Sequence, residues 1–180
     1  MAGKRRSRVI LVLGGASSGK SDVALRLALK GVSPSASRAF VATGEGLDEE
    51  MAAKIARHRL SRSSAWQTAE VPEDLTGWFE QCGARYSVIV VDCITMWLSN
   101  VCGRGRGEKA VLRDMAKLIR SARRIAARIV LVTNELGMGL VPTDAPSRRF
   151  RELAGLVNRL IAERADEAYL VVSGLPVRLK

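Results

Sequence analysis

Gly14-Gly15-Ala16-Ser17-Ser18-Gly19-Lys20-Ser21 constrains this chain more than any other stretch. It fits G-x-x-x-x-G-K-[ST], the pattern of a loop that wraps phosphate groups. The run Val9-Ile10-Leu11-Val12-Leu13 before it is continuously apolar, as in a strand buried on both faces. After it, Asp22 to Leu29 places Val23, Leu27 and the Ala24/Leu25 pair at helical spacing. Strand, glycine loop and helix, in that order, make a phosphate cradle. The glycines let backbone N–H groups turn inward and come close to phosphate oxygens. The helix starting near Gly19 adds the positive end of its dipole. Lys20 supplies a mobile charge for the β- and γ-phosphates, and the Ser21 hydroxyl is a ligand for Mg²⁺.

At 180 residues the chain is expected to form one domain with a substantial core. No apolar run reaches the roughly 18–20 residues of a membrane span. Residues 1–8, with Lys4, Arg5, Arg6 and Arg8, read as a basic flexible tail, and residues 9–180 as the domain. A basic start followed by an apolar run has the outline of an export signal, but this run is short and leads straight into the glycine loop. Cys82, Cys93 and Cys102 are odd in number and lack metal-type spacing, so they read as free thiols of a cytoplasmic protein. The net charge of +11 suits either a nucleic-acid partner or a site holding polyphosphate beside a second anion. Tyr and Phe are too few to build stacking platforms for single strands. A nucleic-acid-binding ATPase is therefore the lesser reading, and no nucleic-acid partner is expected.

Apolar strand patterns recur at Val9–Leu13, Ala39–Thr43, Val88–Asp92, Ile129–Thr133 and Tyr169–Val172, with helical patterns between them. This alternation predicts an α/β fold, a mostly parallel sheet flanked by helices. Ser173-Gly174 is too short for a parallel crossover, so Pro176–Leu179 is expected to return as an antiparallel edge strand. Helices are predicted over Leu47–Arg59, Glu108–Ala127 and Ser147–Arg164. In the second, Val111, Leu112, Met115, Leu118, Ile119 and Ile125 form the apolar side. In the third, Phe150, Leu153, Ala154, Val157, Leu160 and Ile161 do so.

Asp92 closes an apolar strand, the position from which a carboxylate holds Mg²⁺ opposite Ser21. The lesser reading is a cap on the helix that follows, and the two roles can coexist. His58 is the sole histidine. Its position alone reads as a helix C-terminal residue stabilised by the dipole. A neutral imidazole can also attack phosphorus, with Arg57, Arg59 and Arg62 to stabilise charge. Ala42-Thr43-Gly44 and Thr133-Asn134-Glu135-Leu136-Gly137-Met138-Gly139 both follow strands, at the sheet edge where such folds bind ligands. Each fits a substrate loop or a plain turn.

Taken together, these segments resemble one family. They are Gly14–Ser21, the Asp-Glu-Glu-Met-Ala-Ala-Lys-Ile stretch at 48–55 leading to His58, Trp66-Gln67-Thr68-Ala69-Glu70, Thr133 to Pro142, and Val171-Val172-Ser173-Gly174. The family is the bifunctional adenosylcobinamide kinase / adenosylcobinamide-phosphate guanylyltransferase of cobalamin biosynthesis. The resemblance implies a RecA-like P-loop fold, a homotrimer, and ATP and GTP as substrates with Mg²⁺. It also implies two reactions. A γ-phosphoryl group passes to the hydroxyl of adenosylcobinamide, and GMP then passes from GTP to the resulting phosphate through a guanylylated histidine, which His58 matches. By the same resemblance, nucleotide contacts fall on Gly14, Gly15, Ala16, Ser17, Ser18, Gly19, Lys20 and Ser21. Further ones fall on Ala42, Thr43 and Gly44, on Arg59, Leu60, Ser61 and Arg62, and on Glu70 and Asp92. Arg57 stands where members often carry a second histidine, and Asp92 where some carry Glu. A small-metabolite kinase that performs no guanylyl transfer shares the cradle and Asp92 but leaves His58 idle.

Overall fold

The structure is a computed structural model that describes residues 7–45 and 64–180. The helix expected over Leu47–Arg59 lies outside the described residues, and so do His58, Arg59, Leu60, Ser61 and Arg62. Seven strands form one sheet: β1 (Arg8–Gly14), β2 (Arg38–Ala42), β3 (Gln67–Glu70), β4 (Val88–Asp92), β5 (Arg128–Asn134), β6 (Glu167–Val172) and β7 (Leu175–Arg178). Their order across the sheet is β3-β2-β4-β5-β1-β6-β7. Every pairing is parallel except that of β6 with β7. The five apolar runs are thus strands of a parallel sheet, and the C-terminal hairpin adds its antiparallel edge. Its two-residue turn has positive φ at both positions, 51° at Ser173 and 80° at Gly174, the twist that a tight hairpin needs. Pro176 sits on the outermost strand, where its missing N–H breaks no ladder.

Side chains alternate between the two faces along each strand. Val9, Leu11 and Leu13 of β1 join Ile129 and Leu131 of β5 in one apolar layer. Ile10 and Val12 join Val130 and Val132 in the other. The first layer is covered by α2 (Leu75–Cys82), α4 (Glu108–Arg123) and α5 (Ala145–Arg164), with Leu75, Phe79, Met115, Leu118, Val157 and Ile161 fully buried. The second is covered by α1 (Lys20–Leu29) through Val23, Ala24 and Ala28, and by the Phe40–Trp66 edge-to-face pair. A fourth helix, α3 (Ile94–Gly103), follows β4 directly and adds Ile94, Trp97, Leu98 and Val101 to the first layer.

Two helices, α2 and α3, are not among the predicted elements, and three further elements differ from expectation. β3 is a short polar strand at the sheet edge, without an apolar run to announce it. α4 ends at Arg123, because Arg124–Ala127 turns tightly into β5 through Ile125 N–H to Ala122 O and Ala127 N–H to Ile125 O. Ile125 is buried, as expected, but from that turn rather than from the helix. α5 starts two residues early, because Asp144 caps it by accepting from Ser147 N at 2.8 Å and Pro146 fits the first turn.

At the edge of the sheet where β1 and β6 begin, Asp166 ties three elements together. Val9 N–H and Arg123 Nη1 each donate to Asp166 Oδ2 at 2.7 Å, and Asp166 N–H donates to Val9 O at 2.8 Å. Partial burial raises the Asp166 pKa, but the Arg123 hydrogen bond, the Val9 N–H and the charges of Arg123 and Arg8 outweigh it. The carboxyl is held below its usual range. A folded pKa below the unfolded value of about 3.9 stabilises the fold above that pH, and the contribution fades as pH falls through the folded pKa. Urea midpoints measured from neutral to acid pH should therefore fall less steeply on the acid side in Asp166→Asn than in wild type; equal slopes would refute this.

Candidate active site

Parallel strands bring their carboxyl ends to one edge, and the predicted residues collect there. In register, Gly14 pairs with Asn134 and Val171, Ala42 with both Glu70 and Asp92, and Asp92 with Val132. Alternation then decides which way each side chain faces. Ala42 follows Phe40 by two residues, Asp92 follows Val90, and Asn134 follows Val132. All three share the face that α1 covers. Glu70, level with Ala42, is exposed at the end of β3.

The glycine loop leaves β1 at Gly14 and enters α1 at Gly19, whose φ of 81° suits only glycine well. Its carbonyls are engaged by neighbours. Gly14 O accepts from Glu135 N–H at 3.0 Å, Gly15 O from Ser18 N–H at 3.3 Å, and Ser18 O from Gly174 N–H at 2.8 Å. No side chain caps α1. Its positive amino end therefore opens toward the crevice as an anion site. Gly15, Ala16 and Ser17 form the exposed crown of the loop, and Ser18 and Ser21 are half-buried. Lys20 is buried at 9% exposure and donates from Nζ to Gly15 O at 3.0 Å, which holds its charge over the loop.

Thr43 is fully buried. Its hydroxyl donates to Cys93 O at 2.7 Å and accepts from Cys93 N–H at 2.8 Å, bolting the end of β2 to the end of β4. Asn100 of α3 donates to Thr43 O at 2.8 Å and to Pro72 O at 3.1 Å. Gly44 continues this braced segment, and Glu45 beyond it pairs with Arg104 at 3.1 Å. Asp92 is half-buried and does not cap the following helix; Cys93 is the N-cap residue of α3, without a side-chain bond. The Cys93 thiol is pushed up to about 11, first by burial and then by the Asp92 charge, while Lys20 pulls the other way. It is a protonated packing group, close enough to feel both charges of the site.

The pairings that several residues make here were beyond sequence reasoning. Thr95 and Thr133 hydroxyls meet at 3.1 Å, Thr133 donates to Asn158 Oδ1 at 2.8 Å, and all three residues are buried. They fasten the end of β5. Gly174 reads from sequence as a turn, and it is one, yet it also braces the cradle. Its Cα would lie 3.1 Å from a Cβ at Gly19. The one signal for it was the Val171–Gly174 stretch in the resemblance. Beyond β5, Arg151 donates to Gly137 O at 2.6 Å and Leu140 O at 3.0 Å, shaping a loop that exposes Met138, Leu140 and Val141. This loop walls an apolar cavity of about 600 Å³ that is also lined by Leu136, Pro142 and Phe150.

Among the described residues no group of three or more His, Cys, Asp or Glu side chains could hold a metal. The oxygen donors Ser21 and Asp92 fit an Mg²⁺ ion that arrives with phosphates, since Mg²⁺ is typically bound by one or two carboxylates plus substrate phosphates.

The family model for cobinamide kinase / cobinamide phosphate guanyltransferase matches residues 10–179. The chain belongs to this family. It is 37% identical to the bifunctional adenosylcobalamin biosynthesis protein CobU of Escherichia coli, over 96% of this chain and 99% of that one. It is 40% identical to CobU of Salmonella typhimurium over the same shares. It is 39% identical to the bifunctional adenosylcobalamin biosynthesis protein CobP of Pseudomonas aeruginosa, over 94% and 96%. Solved structures share the fold at low identity. A KaiC-like protein from Pyrococcus horikoshii aligns with a TM-score of 0.51 at 12% identity, over 92% of this chain and 71% of that one. The flagellar accessory protein FlaH from Methanocaldococcus jannaschii aligns at 0.56 and 20%, over 99% and 80%. Family members are kinases and guanyltransferases, and the cradle described above is the phosphate-handling part such an enzyme requires.

A Cβ at Gly14 would lie 2.8 Å from Val171 O and collide with Ser18 Oγ. Because a sheet carbonyl cannot retreat, Gly14→Ala should weaken nucleotide binding at least about tenfold, or about 1.4 kcal/mol. Gly155→Ala, with nothing within 4 Å of the added atom, should leave it unchanged. Titration calorimetry with ATP and GTP measures both.

Proposed function

We propose that this chain phosphorylates adenosylcobinamide with ATP or GTP and then transfers GMP from GTP to adenosylcobinamide phosphate, giving adenosylcobinamide-GDP. The observation that carries this reading is the family match over residues 10–179 together with an intact phosphate cradle at Gly14–Ser21. The relatives are themselves named as bifunctional adenosylcobalamin biosynthesis proteins.

In the first reaction the acceptor hydroxyl attacks the γ-phosphorus and the bond to the β-phosphate oxygen breaks. The amino end of α1 and Lys20 neutralise charge on the phosphates. Ser21 and Asp92 would hold Mg²⁺, which when bound neutralises further charge on those oxygens. In the second reaction an imidazole nitrogen of His58 attacks the α-phosphorus of GTP and pyrophosphate leaves. A phosphate oxygen of the acceptor then displaces the imidazole, so the histidine is regenerated. Ala42, Thr43, Gly44, Arg59, Leu60, Ser61, Arg62, Glu70 and Asp92 contact nucleotide in this reading. Thr43 does so through the segment it anchors, since its hydroxyl is committed to Cys93. The apolar cavity beside β5 receives the body of the corrinoid. Its wall, the loop after β5, is tied to the cradle by the Glu135 N–H to Gly14 O bond. The working enzyme in this reading is a cytoplasmic homotrimer. The free thiols Cys82, Cys93 and Cys102 agree with a reducing compartment.

The test uses GTP labelled at the α-phosphate, with Mg²⁺. Wild-type protein should acquire an acid-labile, base-stable GMP adduct visible by intact mass, and His58→Ala should acquire none. Lys20→Ala should lose both adduct formation and phosphorylation of adenosylcobinamide. An adduct that survives in His58→Ala would remove the nucleophile assignment. Phosphorylation without any adduct in wild type would leave a metabolite kinase.

A further inference from the structure

The loop after β5 is pinned along its length, yet its largest side chains face solvent. Glu135 N–H donates to Gly14 O at 3.0 Å, and the Glu135 carboxylate accepts from Gly137 N–H at 2.5 Å. Arg151 holds Gly137 O at 2.6 Å and Leu140 O at 3.0 Å. Arg148 holds Thr143 O at 2.6 Å and Pro142 O at 3.0 Å. Both arginines come from the first two turns of α5, three residues apart and so on one side of the helix. Between these fixed points Met138 is 78% exposed, Leu140 96% and Val141 69%.

Ordering a loop and two long arginine side chains costs conformational entropy. Burial of the loop's own apolar groups usually offsets that cost. Here the apolar groups stay in water, so the ordering gains nothing from them in the free protein. A rigid apolar lip is useful only when an apolar body comes to rest on it, and a shape fixed beforehand then raises affinity. Leu140 also lines the apolar cavity, together with the half-buried Leu136, Pro142 and Phe150. Lip and cavity are thus one continuous apolar surface, and Glu135 ties that surface to the phosphate cradle. The occupant this continuity selects is the phosphoryl acceptor, whose apolar body and reacting hydroxyl must be held together.

We propose that Leu140 is a specificity-determining contact for the acceptor, and that Arg148 and Arg151 are the residues that position it. This rests on the function proposed above. Arg151 acts on the acceptor through the loop, because its guanidinium is committed to two carbonyls three residues apart. A lysine ammonium is a point charge on a flexible stem and lacks the planar fork that spans both. GMP loading from GTP precedes acceptor binding and does not use the lip.

The experiment uses full-length wild type, Leu140→Ser, Arg151→Lys and Arg151→Ala. It measures kcat and KM for adenosylcobinamide in the phosphorylation, GMP loading from GTP, the thermal unfolding midpoint, and oligomeric state by light scattering. Leu140→Ser changes a side chain that is almost wholly exposed, so its unfolding midpoint should not move. Its KM for adenosylcobinamide should rise at least about tenfold, as expected for losing a leucine-sized apolar contact. Arg151→Ala should raise KM at least about tenfold as well, and Arg151→Lys by an intermediate factor. In all three variants kcat and GMP loading should stay within about threefold of wild type. Should Arg151→Ala fail to fold, Leu140→Ser decides. A KM within about twofold of wild type in Leu140→Ser overturns the inference. So does a changed oligomeric state in that variant, which would give the lip to a second copy of the chain. Equal losses of GMP loading and phosphorylation also overturn it, since the loop would then brace the whole site. Wild-type protein that leaves adenosylcobinamide unphosphorylated overturns the underlying function, and this inference with it.

Discussion

Position 14 is where a buried strand must become a phosphate cradle, and it can do so only without a side chain. Val171 O and Ser18 Oγ already fill the space that a Cβ would take. The same residue offers its carbonyl to Glu135 N–H, which locks the tip of β1 to the tip of β5. Everything with chemistry to do is referenced to that closure. The carbonyls of Gly14, Gly15 and Ser18 are taken by their partners, the positive end of α1 is left uncapped, and the loop after β5 sets out from a fixed point. A shift of even an ångström at Gly14 would move the cradle relative to Asp92, and in-line transfer tolerates little misplacement.

Strand alternation divides the labour between the two faces of the sheet. Four helices, α2 to α5, pack one face and supply most of the large buried side chains. The other face has α1, the Phe40–Trp66 pair, and the polar residues at the strand ends. Stability and function are thus assigned to alternate residues of the same strands. Thr133 and Asn134 show this within one dipeptide. Thr133 is sunk among Thr95 and Asn158, and Asn134 is turned to the cradle face. Sliding the register by one residue would exchange the two sets.

The sequence was most legible where burial is total. A strand covered on both faces is an unbroken apolar run, so β1, β2, β4 and β5 announced themselves, as did the apolar run of the less buried β6 and the stripes of α4 and α5. β3 did not, because an edge strand of four residues with Gln67, Thr68 and Glu70 has no such run. The end of α4 was overrun because Ile125 keeps helical spacing while serving a turn. In the site, the phosphate loop and Asp92 are local patterns and could be read. The hydroxyl of Thr43, the amide of Asn100 and the brace at Gly174 act on residues far away in the chain, and only topology brings them together. His58 carries a role in the family reading but sits outside the described residues, so its chemistry rests on sequence alone.

The place of β1 in the sheet also bears on how the protein is made. β1 is the first of the seven described strands in the chain, yet its neighbours are β5 and β6, and the bond from Gly174 to Ser18 O comes from later still. A chain emerging from the ribosome holds this apolar strand without its β5 partner until residue 134 is out. The phosphate loop stays unbraced until residue 174 follows. Pairing between segments so far apart in the chain is slow to form and leaves an apolar strand edge open for longer.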